Sequence, residues 1–271
     1  MTDEAKSGLA LIAGRGALPA AVVAACATRP LVCVLHGFTP EGLTPDLIFH
    51  LERLVPFIDH LLAQGITEVA FAGAVQRPRL DPAIFDPATA QLVPRLLAAM
   101  QGGDDSTLRE VIALFEESGL TVQGVAAIAP DLLPGPGLLA GQLTPTDEAD
   151  AARAAAIVAA LGSVDVGQGA VVAQSLCLAV EALPGTDAML ASLASMPATL
   201  RPASRGLLYK AAKPGQDRRI DLPTLGPESL TLAAKAGLGG IAFQAGSVIC
   251  LSLSDMQAEA DRLGLFLWSR P

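Results

Sequence analysis

The chain has 271 residues, 51% of them hydrophobic and 17% charged, and carries a formal net charge of −9. That length can bury a substantial core as one large domain or two small ones, and the acidity excludes general nucleic-acid binding, which needs a basic footprint. No window approaches the roughly twenty uninterrupted apolar residues of a membrane span, and Met1-Thr-Asp-Glu-Ala-Lys6 lacks a signal peptide's basic region and apolar core, so the protein is expected to be cytoplasmic.

In chain order, Gly8-Leu-Ala-Leu-Ile-Ala-Gly14 reads as a strand feeding an Ala-rich helix from Leu18 to Thr28, with Pro19 in its first turn. Between them, Gly14-Arg15-Gly16 is a turn whose backbone N–H groups could approach an anion at a helix N-terminus, which makes Gly14 and Gly16 candidate ligand contacts. The turn lacks the third glycine of the dinucleotide fingerprint, with Ala17-Leu18-Pro19 in its place. Leu31–Leu35 and Ile66–Gly73 are further strands, the second preceded by a helix through Phe57 to Gln64. Alternating strands and helices predict a mainly parallel sheet covered by helices, with ligands at the carboxyl ends of its strands. Arg77, after the third strand, is a candidate anion contact there. A helix over Leu92–Met100 is followed by Gly103-Asp104-Asp105. One of these aspartates can cap the next helix, through Ser118, leaving the other to accept hydrogen bonds from a nucleoside. Leu120–Ala126 reads as a fourth strand.

Pro130 to Gly137 is dense in Pro and Gly, which predicts a domain at 1–132, a linker at 133–143 and a second domain at 144–271. The second domain opens with a helix over Asp147–Leu161, acidic in its first turn as the helix dipole favours. Two strands follow, joined by a turn near Gln174-Ser175. Glu181 continues the second, where an unpaired buried carboxylate would be costly, so it lies either on the solvent face or paired at a site, and strand alternation with Ala179 and Cys177 favours the second. Thr186 is the expected N-cap of a helix beginning at Gly185-Thr-Asp-Ala-Met-Leu190. Then Lys210 to Pro223 gathers four cations and two carboxylates around Pro214-Gly215, a turn rather than a helix face. A helix over Pro227–Ala236, a strand from Gly240 to Leu251 broken at Ala245-Gly246, a helix over Asp255–Leu263 and a strand over Leu265–Trp268 complete the chain. Cys26, Cys33, Cys177 and Cys250 lie in apolar runs without metal-ligand spacing.

Ala13-Gly-Arg-Gly-Ala-Leu-Pro19, Gly73-Ala-Val-Gln-Arg-Pro78, Gly103-Asp-Asp105, Asp165-Val-Gly-Gln168, Ala179-Val-Glu181, Gly185-Thr-Asp-Ala-Met-Leu190 and Lys213-Pro-Gly-Gln-Asp-Arg-Arg-Ile-Asp-Leu-Pro223 occur in this order along the chain. In that order they resemble the LpxI-type UDP-2,3-diacylglucosamine pyrophosphatases of lipid A biosynthesis. The chain departs from the family pattern at Pro184, often Glu, and at Ala191-Ser192-Leu193, where an Arg is frequent. The resemblance implies an α/β protein with an N-terminal Rossmann-like domain and a C-terminal mixed α/β domain, and an active site between them. It implies hydrolysis of UDP-2,3-diacylglucosamine to UMP and 2,3-diacylglucosamine 1-phosphate with Mg²⁺, or Mn²⁺ in its place. It further implies that Asp217 is needed for activity, and it brings Gln168 into the substrate site.

The residue types suit that chemistry, since hydrolysis of a pyrophosphate needs neutralised phosphoryl oxygens and an aligned water. Asp217 is expected to bind the metal or orient the water, assisted by Asp221 or Asp187. Lys213, Arg218 and Arg219 would hold phosphate oxygens, and Gln216 and Thr186 would add hydrogen bonds. Asp217 and Asp221 are four apart, a spacing that suits one side of a helical turn or one face of a strand. The expected partners are a glycolipid nucleotide, the inner-membrane surface by peripheral contact, and a second copy of the chain in a homo-oligomer. Two other classes compete. A nicotinamide-dependent oxidoreductase is disfavoured by the incomplete glycine fingerprint and by Leu35-His36-Gly37, where an acidic residue would end the second strand. A non-catalytic carrier of glycolipid or nucleotide would show no metal dependence.

Overall fold

A computed structural model describes residues 7–75, 79–101 and 104–271, and the side chains of all of these except Asp104 and Asp105. Contacts divide the chain into two compact units, the first made of residues 1–130 with Asp217–Asp221, the second of residues 131–216 and 222–271.

The first unit runs β1 (Leu9–Ala13), α1 (Leu18–Ala25), β2 (Leu31–Leu35), β3 (Leu47–Phe49), α2 (Leu54–Ala63), β4 (Glu68–Ala72), α3 (Pro87–Gln101), α4 (Asp104–Glu117), β5 (Thr121–Gln123) and the short α5 (Val125–Ile128). Its sheet has the order β3-β2-β1-β4-β5, and every pairing is parallel. Strands covered on both faces have no polar side, which is why β1 and β2 read as LALIA and LVCVL without alternation. Phe57, Leu61, Val69 and Phe115 lie in the buried core, and Ile220 from the distant 217–221 segment packs against it. The expected fourth strand is shorter than its apolar run, because Gly124 ends β5 and Val125 opens α5.

The second unit runs β6 (Gly137–Ala140), α6 (Pro145–Gly162), β7 (Gly169–Ala173), β8 (Leu176–Val180), α7 (Gly185–Ala194), β9 (Leu207–Lys210), β10 (Thr224–Leu225), α8 (Pro227–Lys235), β11 (Gly240–Gln244), β12 (Ile249–Cys250), α9 (Leu253–Leu263) and β13 (Phe266–Arg270). Six strands form a mixed sheet in the order β6-β13-β11-β9-β7-β8, with β9, β11 and β13 parallel. The run expected as one broken strand from Gly240 to Leu251 is instead two, since β12 leaves the large sheet and pairs with β10. Alternation gives each strand two cores. Leu207 and Tyr209 pack with Ala154 and Val158 of α6, whereas Leu208 packs with Leu190 of α7 and Leu230 of α8.

The expected linker at 133–143 is corrected. Its centre is β6, an edge strand antiparallel to β13, and an edge tolerates the Gly and Pro that suggested a linker. Thr144 and Asp147 then close a capping box on α6. The β7–β8 turn falls where expected, with Gln174 and Ser175 at φ 49° and 63°, the left-handed pair of a tight hairpin. Buried Asp150 of α6 accepts from both of their N–H groups, at 2.9 and 2.6 Å.

Candidate active site

The strand order of the first unit's sheet reverses at β1, which lies between β2 and β4, and such switch points are where open α/β sheets take ligands. Here Gly14 and Gly73 touch backbone to backbone: a Cβ on Gly14 would lie 2.6 Å from the Ala74 carbonyl oxygen. Gly14 N–H donates to Ala72, while Arg15 and Ala74 exchange hydrogen bonds of 2.9 and 3.0 Å. Gly14 is therefore explained by the crossing of two turns, and its N–H and that of Arg15 are already used. Gly16, at φ +88° with open space around it, leads into α1, whose first-turn N–H groups have no intrahelical acceptor. The Arg15 guanidinium turns aside, 5.1 Å above the Phe38 ring and donating to the Gly37 carbonyl. Arg77 and the side chains of Asp104 and Asp105 lie outside the described residues.

Asp217 also belongs to the first unit. Its carboxylate accepts from the backbone N–H of Arg219 at 3.0 Å and from the guanidinium of the same residue, Nε at 3.0 Å and Nη2 at 2.7 Å. A second carboxylate, Glu116 of α4, takes Arg219 Nη1 at 2.6 Å. The hydrogen bond from Arg219 holds the Asp217 carboxyl below the usual range, with Arg109 adding a weaker pull. Asp217 is thus an ionised carboxylate on a turn. The chain must pass tightly there, since a Cβ on Gly124 would approach the Arg219 Cα to 3.1 Å. Arg218 is exposed and Asp221 half-buried. Arg219, expected as a phosphate contact, is an internal brace between Asp217 and Glu116.

In the second unit, Gln216 folds its side chain back on the turn that precedes Asp217. Its amide oxygen accepts from the Lys213 N–H at 2.9 Å and from Gln168 Nε2 at 3.0 Å, while Ala211 N–H donates to the Gln168 carbonyl. The two glutamines thus shape the Lys213–Gln216 turn. Lys213 Nζ donates to Asp165 Oδ1 at 2.5 Å, and Asp165 sits at φ 56°.

Glu181, just beyond the end of β8, is paired. Its Oε1 accepts from Thr186 Oγ1 at 3.0 Å, and Lys210 Nζ lies 3.6 Å from Oε2. Thr186 is not the N-cap it was expected to be. Pro184 holds that position without a side-chain cap, and the Thr186 hydroxyl accepts instead from Lys210 at 2.6 Å. Asp187 is exposed in the first turn of α7. Among the described residues no three His, Cys, Asp or Glu side chains come together as a ready metal cage, and burial pushes the thiols of Cys33 and Cys250 up to about 12, where they are inert.

Comparison with known proteins decides the family. Residues 8–132 match the family model of the LpxI N-terminal domain and residues 136–268 that of the LpxI C-terminal domain. The UDP-2,3-diacylglucosamine pyrophosphatase LpxI of Caulobacter vibrioides is 37% identical over 269 residues, covering 96% of each chain. The chain belongs to the LpxI family. The resemblance and the fold class expected from the sequence both hold, and no helix among the described residues is long and apolar enough to cross a membrane.

Sequence reading gave no partner to several polar side chains that the fold of this LpxI family member pairs. Glu116 and Arg109 look like solvated helix charges, and Asp165 like a loop residue, until the fold supplies their partners. Lys210 was visible as the basic end of an otherwise apolar strand, LLYK, and a lysine there signals a buried partner.

Proposed function

We propose that this protein hydrolyses the pyrophosphate bond of UDP-2,3-diacylglucosamine, releasing UMP and 2,3-diacylglucosamine 1-phosphate, as a step of lipid A biosynthesis. The observation that carries the reading is identity of 37% spread over 96% of both chains to a UDP-2,3-diacylglucosamine pyrophosphatase. The matched span takes in both units and the Asp217 turn.

Asp217 is the proposed centre of the reaction. Two hydrogen bonds from one guanidinium and one from a backbone N–H keep it ionised, as a group that aligns a water or holds a cation must be. Mg²⁺ binds through one or two carboxylates, with phosphate oxygens and water completing its octahedron. The donor chemistry of Asp217, with Asp221 or Asp187 assisting, fits that requirement, with Mn²⁺ a substitute. When bound, the cation would neutralise charge on the phosphoryl oxygens. The chain's own part is to position: Lys213 and exposed Arg218 offer cations to the phosphates, and the Gln168–Gln216 pair fixes the turn that carries Lys213. Glu181 and Thr186 supply a hydrogen-bonding pair. A diacylated substrate resides in a membrane, so peripheral contact with the inner-membrane surface belongs to the same reading, and self-association is a further part of it.

The test is UMP release from UDP-2,3-diacylglucosamine with Mg²⁺ present and after chelation. Turnover that stops on chelation and returns with Mg²⁺ supports the reading; no UMP from folded protein at any metal concentration overturns it. Asp217→Ala should lower kcat by roughly 10²–10³-fold, the size of effect seen when a preorganised electrostatic group is removed. A near-wild-type rate in folded Asp217→Ala would refute the assignment of that residue alone.

A further inference from the structure

Three polar side chains of the second unit meet, the two charged ones largely withdrawn from water and Thr186 half-buried. Lys210 ends β9, Glu181 follows β8 and Thr186 lies in the first turn of α7. The Lys210 side chain is 7% exposed and that of Glu181 13%. Alternation along β9 places Lys210 on the same face as Leu208, towards α7. The directions of the hydrogen bonds are fixed by chemistry. An ammonium only donates and a carboxylate only accepts, so the hydroxyl between them accepts from Lys210 at 2.6 Å and donates its one proton to Glu181 at 3.0 Å. Glu181 Oε2, buried and without a hydrogen-bond donor among the described residues, is left to the ammonium 3.6 Å away.

The Thr186 proton is therefore committed, and towards a ligand the hydroxyl has only a lone pair to offer. A phosphate oxygen with no proton is a poor partner for it, whereas an O–H group is a good one. We infer that Lys210 is a positioning residue of the hydrolysis, one that holds Thr186 as a hydrogen-bond acceptor for an O–H of the substrate sugar or of the reacting water. This rests on the function proposed above, and it reverses the sense in which Thr186 would otherwise be expected to meet the substrate.

The experiment compares kcat and KM for UDP-2,3-diacylglucosamine across Thr186→Val, Thr186→Ser, Lys210→Met, and Lys210→Met combined with Glu181→Gln, which removes both charges should Lys210→Met alone fail to fold. Thr186→Val and the charge-free pair should each lose about 10–100-fold in kcat/KM, the scale of a misplaced contact. Thr186→Ser should recover most of the loss, and adding Thr186→Val to the charge-free pair should lower the rate little further, because both act through one hydroxyl. A loss carried by KM assigns the sugar O–H, and one carried by kcat the water. Wild-type kcat/KM in the charge-free pair, or losses that multiply, overturn the inference. The arrangement is also read without turnover, from the Lys210 ammonium resonance in ¹H–¹⁵N spectra: it should shift in Thr186→Val, and an unshifted signal overturns the contact. If wild-type protein releases no UMP, the functional reading falls while this spectrum still decides the hydrogen bond.

Discussion

Arg219 in the first unit and Lys210 in the second each hold a carboxylate, and they do so on opposite sides of the solvent boundary. The side chains of Arg219 and Glu116 are 40% and 42% exposed, whereas Lys210 and Glu181 are nearly buried. Water competes with the first cluster and screens it, so its Arg219–Glu116 pair is worth at most about 1 kcal/mol. The second cluster has lost its hydration, so removing one member leaves a bare charge in a low-dielectric setting. The same pairing chemistry thus yields a weakly held brace in one place and a fixed scaffold in the other.

The comparison breaks most sharply on Glu181→Leu, which leaves the Lys210 ammonium buried without its carboxylate. A destabilisation of about 3–5 kcal/mol is expected, read from denaturant midpoints, and Glu181→Leu with Lys210→Met should recover most of it. A single variant as stable as wild type would mean that water reaches the cluster and that the contrast with Arg219 is empty.

Asp150 sharpens the contrast, being more deeply buried than Glu181 but held by two backbone N–H groups instead of a cation. Asp150→Ala strands both donors at a turn whose residues sit in the left-handed region, and should cost about 2–3 kcal/mol. The measurement is hydrogen exchange at Gln174 and Ser175 together with thermal unfolding. Faster exchange confined to the β7–β8 turn is the expected pattern, and unchanged exchange there would count against it.

How much of this was legible in the sequence follows the range of the interactions. β1 and β2 were legible because strands buried on both faces are continuous apolar runs, and the β7–β8 hairpin because β7 and β8 are apolar runs separated by a short polar turn. β6 was not, since Pro and Gly suit a linker and an edge strand equally. Local rules also misplaced Thr186: a threonine after glycine looks like a cap, but a buried lysine offers its hydroxyl a stronger partner. Asp217 was singled out as a candidate by its motif. That Arg219 braces it against Glu116, 103 residues earlier, is a tertiary fact with no local trace, and so is the membership of Asp217–Asp221 in the first unit.

The smallest expected effects lie in the exposed cluster. The Asp217 carboxyl is held below its ordinary value by Arg219, so the folded state binds a proton there less readily than the unfolded chain does. Its contribution to stability is then fully present above the unfolded value of about 3.9 and fades as pH falls through the lower folded value. Between pH 5 and 8, on the order-of-magnitude scale of exposed pairs, Arg219→Met should cost less than about 1 kcal/mol and be independent of pH. Below about pH 4 the difference from wild type should shrink. In the same variant the Asp217 carboxyl should titrate closer to its ordinary range by ¹³C spectroscopy. Glu116→Gln should change stability still less and respond to salt, because screening already weakens the pair it removes. A large, salt-insensitive loss in Glu116→Gln would show that this brace behaves like the buried one, and Arg219 would then be as fixed as Lys210.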